Sequence, residues 1–384
     1  MNSRALLALT ASALALPGLA PPVRGDAPPA VSTASLRVST YSEDDLDAGA
    51  RLAGSAQRYD IDIYQLRVQM PVGDSYALTL SSSYESMSGA SPWYTIRRGD
   101  GSTGVIMSGA TISEQRRDVS ANVRRYLDNG AIGITLGGSH ENDYGALSAS
   151  IDAERHFNDN LTTLAGGLGY SDDELDPTQQ QGFARILTAD KRSRSAFASL
   201  SQVVNRNNLV QTGISVTYLS GYLSDPYKLN DKRPDARTQI AWTTAWRHFI
   251  PAANAALQAD YRFYHDDFGI DSHTIDVAWH QNVGSDWQLV PGIRYYSQRA
   301  ADFFTQQLVF APTSAQPYQS TDFRLSNYGA WSGSLKVQWE IDAFTVSASA
   351  ERYYADTAFA SYDGLESPAL VDFTRLSLGL DYRF

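Results

Sequence analysis

The densest group of metal-ligating side chain types is His265, Asp266, Asp267, Asp271 and His273, two imidazoles and three carboxylates within nine residues. Imidazole nitrogens and carboxylate oxygens are the donors that hold divalent cations. The spacing matches no defined ligand signature, however, and Asp-rich hairpin connections are common. The competing reading has these groups satisfying loop backbone and pairing with Arg262 and Arg294, so metal is left undecided. Asp225 and Lys228 fall in a second polar connection expected on the same rim. The candidate binding residues are therefore Asp225, Lys228, His265, Asp266, Asp267, His273 and Arg294.

Catalytic chemistry finds less support. The chain has no cysteine, which removes thiol catalysis and thiolate metal sites. Ser272 adjoins His273, but neighbours on a strand point to opposite faces, so they do not make a nucleophile–base pair. His156 and His248 fall near the short turns, away from the rim. No catalytic residue and no cofactor is expected, and the chain reads as a non-enzyme.

A second set of charges recurs in alternation with apolar residues. Arg37, Arg67, Arg124, Asp152, Glu154, Asp260, Arg262, Asp276, His280, Arg294, Lys336, Glu351, Arg375, Asp381 and Arg383 all fall on one phase. If that phase lines a water-filled lumen, opposed charges order polar solutes in a transverse field. If the charges pair directly, they brace a filled interior. Arg375, Asp381 and Arg383 are expected to face Arg37 where the last strand meets the first, an excess of cations that favours a wet lumen.

The elements that must position these side chains are strands. Leu376, Leu378, Leu380, Tyr382 and Phe384 alternate with Ser377, Gly379, Asp381 and Arg383, giving one apolar and one polar face. Ile132, Ile134 and Leu136, or Leu257, Ala259, Tyr261 and Phe263, repeat the pattern. From Leu36 onward there are about sixteen such candidates and no helical period. Tight Gly/Asn/Asp turns alternate strictly with longer polar loops. The turns fall at 72–75, 128–130, 158–160, 205–208, 251–254, 284–286 and 341–343. The loops fall near 43–57, 87–112, 172–190, 221–235, 300–322 and 356–368, with short ones near 143 and 268. A β-sandwich has no reason to sort connection lengths by parity, whereas an outer-membrane barrel does. The expected fold is all-β: a transmembrane antiparallel β-barrel of about sixteen strands, with short periplasmic turns and longer extracellular loops. A charge facing lipid at mid-bilayer costs about 2–4 kcal/mol, so the charged phase must face the lumen. Arg125, Arg155 and Arg352 fall on the apolar phase, but near strand ends. Around Ile61 to Gln65 the phase slips, which predicts a bulge or a strand start at Tyr64.

Composition agrees. A net charge of −11 lacks the basic footprint of a nucleic-acid binder. Mean hydropathy is −0.31, and no apolar run beyond the N-terminus approaches the roughly twenty residues of a spanning helix. The 22 tyrosines and 7 tryptophans suit aromatic girdles. Residues 1–20 read as a signal peptide, with Arg4 before an Ala/Leu run and Pro17-Gly18-Leu19-Ala20 resembling a cleavage region, cleavage after Ala15 being the alternative. Residues 21–34 read as a disordered Pro/Ala-rich periplasmic tail, and 35–384 as the barrel.

Four stretches carry a family resemblance: Ser88-Gly89-Ala90-Ser91-Pro92, the run Gly221 to Lys228 (GYLSDPYK), Arg262 to Thr274 (RFYHDDFGIDSHT) and Arg294 to Phe304 (RYYSQRAADFF). Together they resemble an uncharacterised family of Gram-negative outer-membrane β-barrel proteins, the domain of unknown function 3570. The resemblance spans most of the mature chain. Phe268 and Phe304 depart from it, standing where a Trp and a Tyr are expected, each an aromatic-for-aromatic change. It implies the outer membrane and a barrel, and brings no substrate. The expected role is a porin-like channel or selective passage for a small polar solute or ion. The alternative is a non-conducting surface barrel whose loops bind a partner or metal. Outer-membrane lipid and the barrel-assembly machinery, the latter through the C-terminal strand ending in Phe384, are the expected partners.

Overall fold

The computed structural model describes residues 27–108, 112–179, 185–309 and 316–384. The proposed signal peptide and the start of the tail lie outside them. In chain order the strands are β1 (Thr33–Glu43), β2 (Arg51–Ala53), β3 (Asp60–Val72), β4 (Tyr76–Gly89), β5 (Pro92–Arg97), β6 (Thr103–Met107), β7 (Ile112–Leu127) and β8 (Gly130–His140). They continue with β9 (Tyr144–Phe157), β10 (Thr162–Leu175), β11 (Ala189–Asn205), β12 (Asn208–Gly221), β13 (Ala236–Ile250) and β14 (Ala255–Asp266). The last five are β15 (Asp271–Val283), β16 (Trp287–Gln298), β17 (Tyr328–Ile341), β18 (Phe344–Asp356) and β19 (Phe373–Arg383).

Sixteen of these close into one antiparallel barrel, β1-β19-β18-β17-β16-β15-β14-β13-β12-β11-β10-β9-β8-β7-β4-β3, as the alternating turns and loops require. The remaining three, β2, β5 and β6, form a small separate sheet in the loops. Closure runs through the C-terminal strand: Leu36 pairs with Leu380 and Val38 with Leu378. Backbone bonds from Ser32 to Phe384 and back, 3.0 and 2.9 Å, seal the end of the seam. Pairing with β19 therefore draws Thr33 and Ala34 into the sheet, two residues earlier than the barrel start expected at 35.

The tight turns gather at one end with the chain termini. Asn158, Asp159, Asn160, Asn254 and Asp342 adopt left-handed backbone there, with φ between 48° and 68°. These are side chains that tolerate that region. The outer face is the apolar phase: Leu136 is 60% and Leu378 65% exposed, as a surface built for lipid must be. Arg125 and Arg155 lie over the rings of Tyr76 and Phe157, each at 5.8 Å, and Arg352 lies over Tyr354 at 4.6 Å. These three outward cations thus sit among aromatic residues near strand ends.

The phase slip at Ile61 has a different cause from the bulge expected. β3 pairs without interruption from Asp60 on the β4 side, and its pairing with β1 is equally regular. Ile61 points inward, where it packs with Tyr59 and Met87 in a buried cluster, while Asp60 and Asp62 point outward. The pattern inverts because the interior becomes apolar at the loop end of the barrel, where loops cover it.

Candidate functional site

The inner wall is ionic and organised along the wall. Asp276 and Arg294, directly paired on β15 and β16, form an ion pair with a 2.6 Å hydrogen bond. Glu351 and Arg375, paired on β18 and β19, do the same at 2.6 Å. Arg247 on β13 grips Asp260 on β14 through both guanidinium nitrogens. Arg124 on β7 reaches across β8 to Asp152 and Glu154 on β9, at 2.5 and 2.6 Å. Gly133 makes that reach possible, since a carbon added there would meet Asp152 Oδ1 at 2.6 Å and Arg124 at 3.2 Å. His280 contacts Gln288 at 3.3 Å, Arg262 lies over Tyr264, and Arg383 donates to the Asp342 carbonyl. The seam charges are thus relieved in part by specific partners rather than by solvent alone. Arg294 and Arg375 nevertheless keep about half of their side-chain surface exposed (51% and 53%). Both guanidinium groups are thus accessible to solvent.

The loop end is different. There the long connections fold together into a cap. Lys228, between β12 and β13, donates to the Pro92 carbonyl at 2.8 Å, and the Leu229 amide donates to Trp93. Thr95 on β5 donates to Gln306 at 2.7 Å, and the Leu308 amide returns a bond to Thr95 at 3.1 Å. Four barrel strands separate β7 from β12, and four separate β4 from β17. Loops this far apart on the ring meet only by crossing the barrel mouth. The cap holds buried clusters around Val105 and Met107, and around Phe268 and Phe304.

Asp322 is the cap's electrostatic hub. It is fully buried and ion-pairs with Arg233 at 2.9 Å and with Arg324, while Lys228 stands 3.9 Å away. Asp225 engages Arg324 at 3.2 Å, and Asp231 engages Arg233 at 2.8 Å. Burial alone would raise the Asp322 carboxyl, but Arg324, Lys228 and Arg233 outweigh it and hold it well below the usual range. Burial lowers the Lys228 ammonium, against the pull of Asp322 and Asp225. Gly221 starts the loop that brings Asp225 and Lys228 inward. Its φ is +106°, and a carbon there would lie 2.3 Å from the Asp190 carbonyl, so only glycine fits.

The sequence-selected rim residues do not form one patch. Asp225 and Lys228 are inside the cap. Asp266 is buried on the inner face, held by Arg237, by the Tyr264 hydroxyl at 2.6 Å and by the amides of Phe268 and Ile270. Asp267 accepts from the Thr238 amide at 2.8 Å. His265 shares the outward phase of Tyr261 and Phe263 and contacts Asp271 at 2.7 Å. His273 is stacked between Tyr261 and Tyr362, whose hydroxyls meet its two ring nitrogens at 2.8 and 2.7 Å. Ser272 is buried on the opposite side of the strand. Arg294 belongs to the lumen wall. His265, Asp271 and His273 thus lie on the outward face of the sheet and Asp266 on the inward one, with Asp267 in the connection between β14 and β15.

Several contributors were not singled out from sequence: Arg247, Arg233, Arg324, Asp231 and Asp322. Arg247 was legible, since Trp242 and Trp246 set the outward phase of β13. The others lie in loops without period. Another group comprises Glu114, Glu141 and Asp143, buried carboxylates with ligand atoms within 4.8 Å of one another. Arg116 faces two sides of this region, 3.7 Å from Glu141 and 3.8 Å from Glu85. The Tyr227 hydroxyl donates to Asp143 at 3.1 Å, tying the β8–β9 connection to the cap. Burial, then the nearby Asp176, pushes the Asp143 carboxyl up to about 7.

The family described as "Protein of unknown function (DUF3570)" matches residues 6–367. Among curated proteins none matches the chain. In fold, the chain is similar to a bacterial polysaccharide outer membrane secretin, with 8% identity and a TM-score of 0.51, covering 91% of this chain and 98% of that one. It is also similar to CdiB from Acinetobacter baumannii, at 9% identity and a TM-score of 0.51. That likeness covers 91% of this chain and 60% of CdiB. At such low identity the likeness is one of fold: an outer-membrane β-barrel.

Proposed function

The chain belongs to the DUF3570 family, and we propose that it is an outer-membrane passage for a small polar solute or ion, closed over at its outer mouth by the cap. The observation that carries this reading is the inner wall. Most of its ion pairs join neighbouring strands, and Arg294 and Arg375 remain about half exposed (51% and 53%), as in a wall lining water. Sixteen strands also make a barrel wide enough to hold an aqueous lumen. In this reading the turns and termini face the periplasm, the loops face outward, and outer-membrane lipid surrounds the apolar face. The C-terminal strand ending in Phe384 is the element offered to the assembly machinery. Planar-bilayer recording from the refolded chain tests the passage: discrete currents support it, and silence at every voltage and salt concentration removes it.

The cap favours a second reading. A mouth spanned by buried ion pairs suits a non-conducting barrel whose outer surface binds a partner. The same recording separates the two, because only a passage gains current when the cap is loosened.

A further inference from the structure

We propose that Arg37 and Lys336 form an anion station on the lumen wall beside the closing seam. This rests on the passage reading above and adds the charge of the solute. Elsewhere on the inner wall four arginines have carboxylate partners: Arg247 has Asp260, Arg294 has Asp276, Arg375 has Glu351, and Arg124 has two. Lys336 instead has Arg37 and Asp381 as its charged neighbours, so two cations share one carboxylate. Excess charge of one sign on a low-dielectric wall raises the local concentration of the opposite ion.

The strands between the two cations leave room for that ion. Across the sheet, Arg37 faces Gly379, and Gly379 faces Ser347. One level away, Lys336 faces Ser349. A carbon added at Gly379 would stand 2.5 Å from Ser347 Oγ and 3.7 Å from Arg37 Nε, so the guanidinium extends beside a position with no side chain. The result is a shallow floor of glycine and serine between two long cationic arms. The half-buried hydroxyl of Ser349 adds a neutral donor. This combination suits a small anion with acceptor oxygens, such as phosphate or a carboxylate, and also chloride. Asp381 keeps the site from being purely cationic, and weak holding is what conduction requires.

The test uses the full chain refolded into planar bilayers under a potassium chloride gradient. Wild type is expected to favour chloride over potassium. An Arg37→Gln, Lys336→Gln double variant is expected to lose that preference several-fold, while keeping the same heat-modifiable mobility on gels as evidence of folding. An unchanged permeability ratio, or a cation-preferring wild type, overturns the station. Isothermal titration with inorganic phosphate keeps this result apart from the passage reading. Phosphate binding to wild type that disappears in the variant supports the site even if no current flows. Absence of phosphate binding to wild type overturns it even if current does flow.

Discussion

Across the closing seam, the Ser39 hydroxyl on β1 donates to the Ser377 hydroxyl on β19 at 2.8 Å. The two residues are direct cross-strand partners on the inner wall, 338 positions apart in the chain. Directly opposed antiparallel residues have Cα atoms about 4.5–5.5 Å apart, within the range a disulfide spans. A Ser39→Cys, Ser377→Cys variant should therefore oxidise to an internal disulfide, read as loss of free thiol and faster migration on a non-reducing gel. The chain has no other cysteine to confuse the result. Ser39→Cys with Asp381→Cys, out of register, should stay reduced. The reverse pattern would place the seam elsewhere.

The lipid face should be intolerant of charge in a depth-dependent way. Leu378 lies in the middle of β19 and points outward, so Leu378→Arg should cost about 2–4 kcal/mol in a denaturant refolding titration. Ser347→Arg, on the inner face of the neighbouring strand, should cost far less, because its side chain points away from lipid. Equal costs at the two sites would contradict the assignment of faces.

Asp143 gives the loop end a pH dependence whose sign is fixed. Its carboxyl is pushed from an ordinary 3.8 up to about 7, so the folded loop end holds the proton more tightly than the unfolded chain. Its contribution to stability is full below about pH 4, declines as pH rises, and is lost once pH passes about 7. The protection of the 141–143 amides, exchange measured against its intrinsic rate at each pH, should fall across that window in wild type. Asp143→Asn should flatten the profile. Wild-type protection that instead rises with pH would refute the assignment.

Asp322 behaves oppositely. Its carboxyl is held below 3.8, so its stabilisation is present above that value and is lost only as pH falls through the lower folded value. Replacing one partner of a buried ion pair costs about 3–5 kcal/mol, so Asp322→Asn should loosen the cap while leaving the barrel closed. Limited proteolysis should then cut within 222–235 or 299–309, with the barrel strands protected. Unchanged cap protection would show that Asp322 is not its hub.

The fold was legible because one constraint, a lipid face, imposes both strand alternation and the sorting of turns from loops. The phase slip at Ile61 misled for a physical reason. Near the mouth the interior is covered by the cap, so Ile61 packs inward among Tyr59 and Met87. Strand parity also separates the ligand types: His265 and His273 share the outward phase of Tyr261 and Phe263, away from Asp266. The cap itself was not legible. Its contacts join Lys228 to Pro92, and Thr95 to Gln306, across the barrel mouth, and loops carry no period from which such pairings follow. The family-like stretches did mark the region. Pro92, Lys228, Phe268 and Phe304 all lie in the cap, and the two aromatic departures, Phe268 and Phe304, share one buried cluster.

Single-channel current through the wild-type chain and its Asp322→Asn variant, recorded side by side in planar bilayers, tests the central claim most directly. The account predicts small discrete currents from wild type and several-fold larger ones once the cap is loosened. No current from either protein, at any voltage or salt concentration, would contradict it.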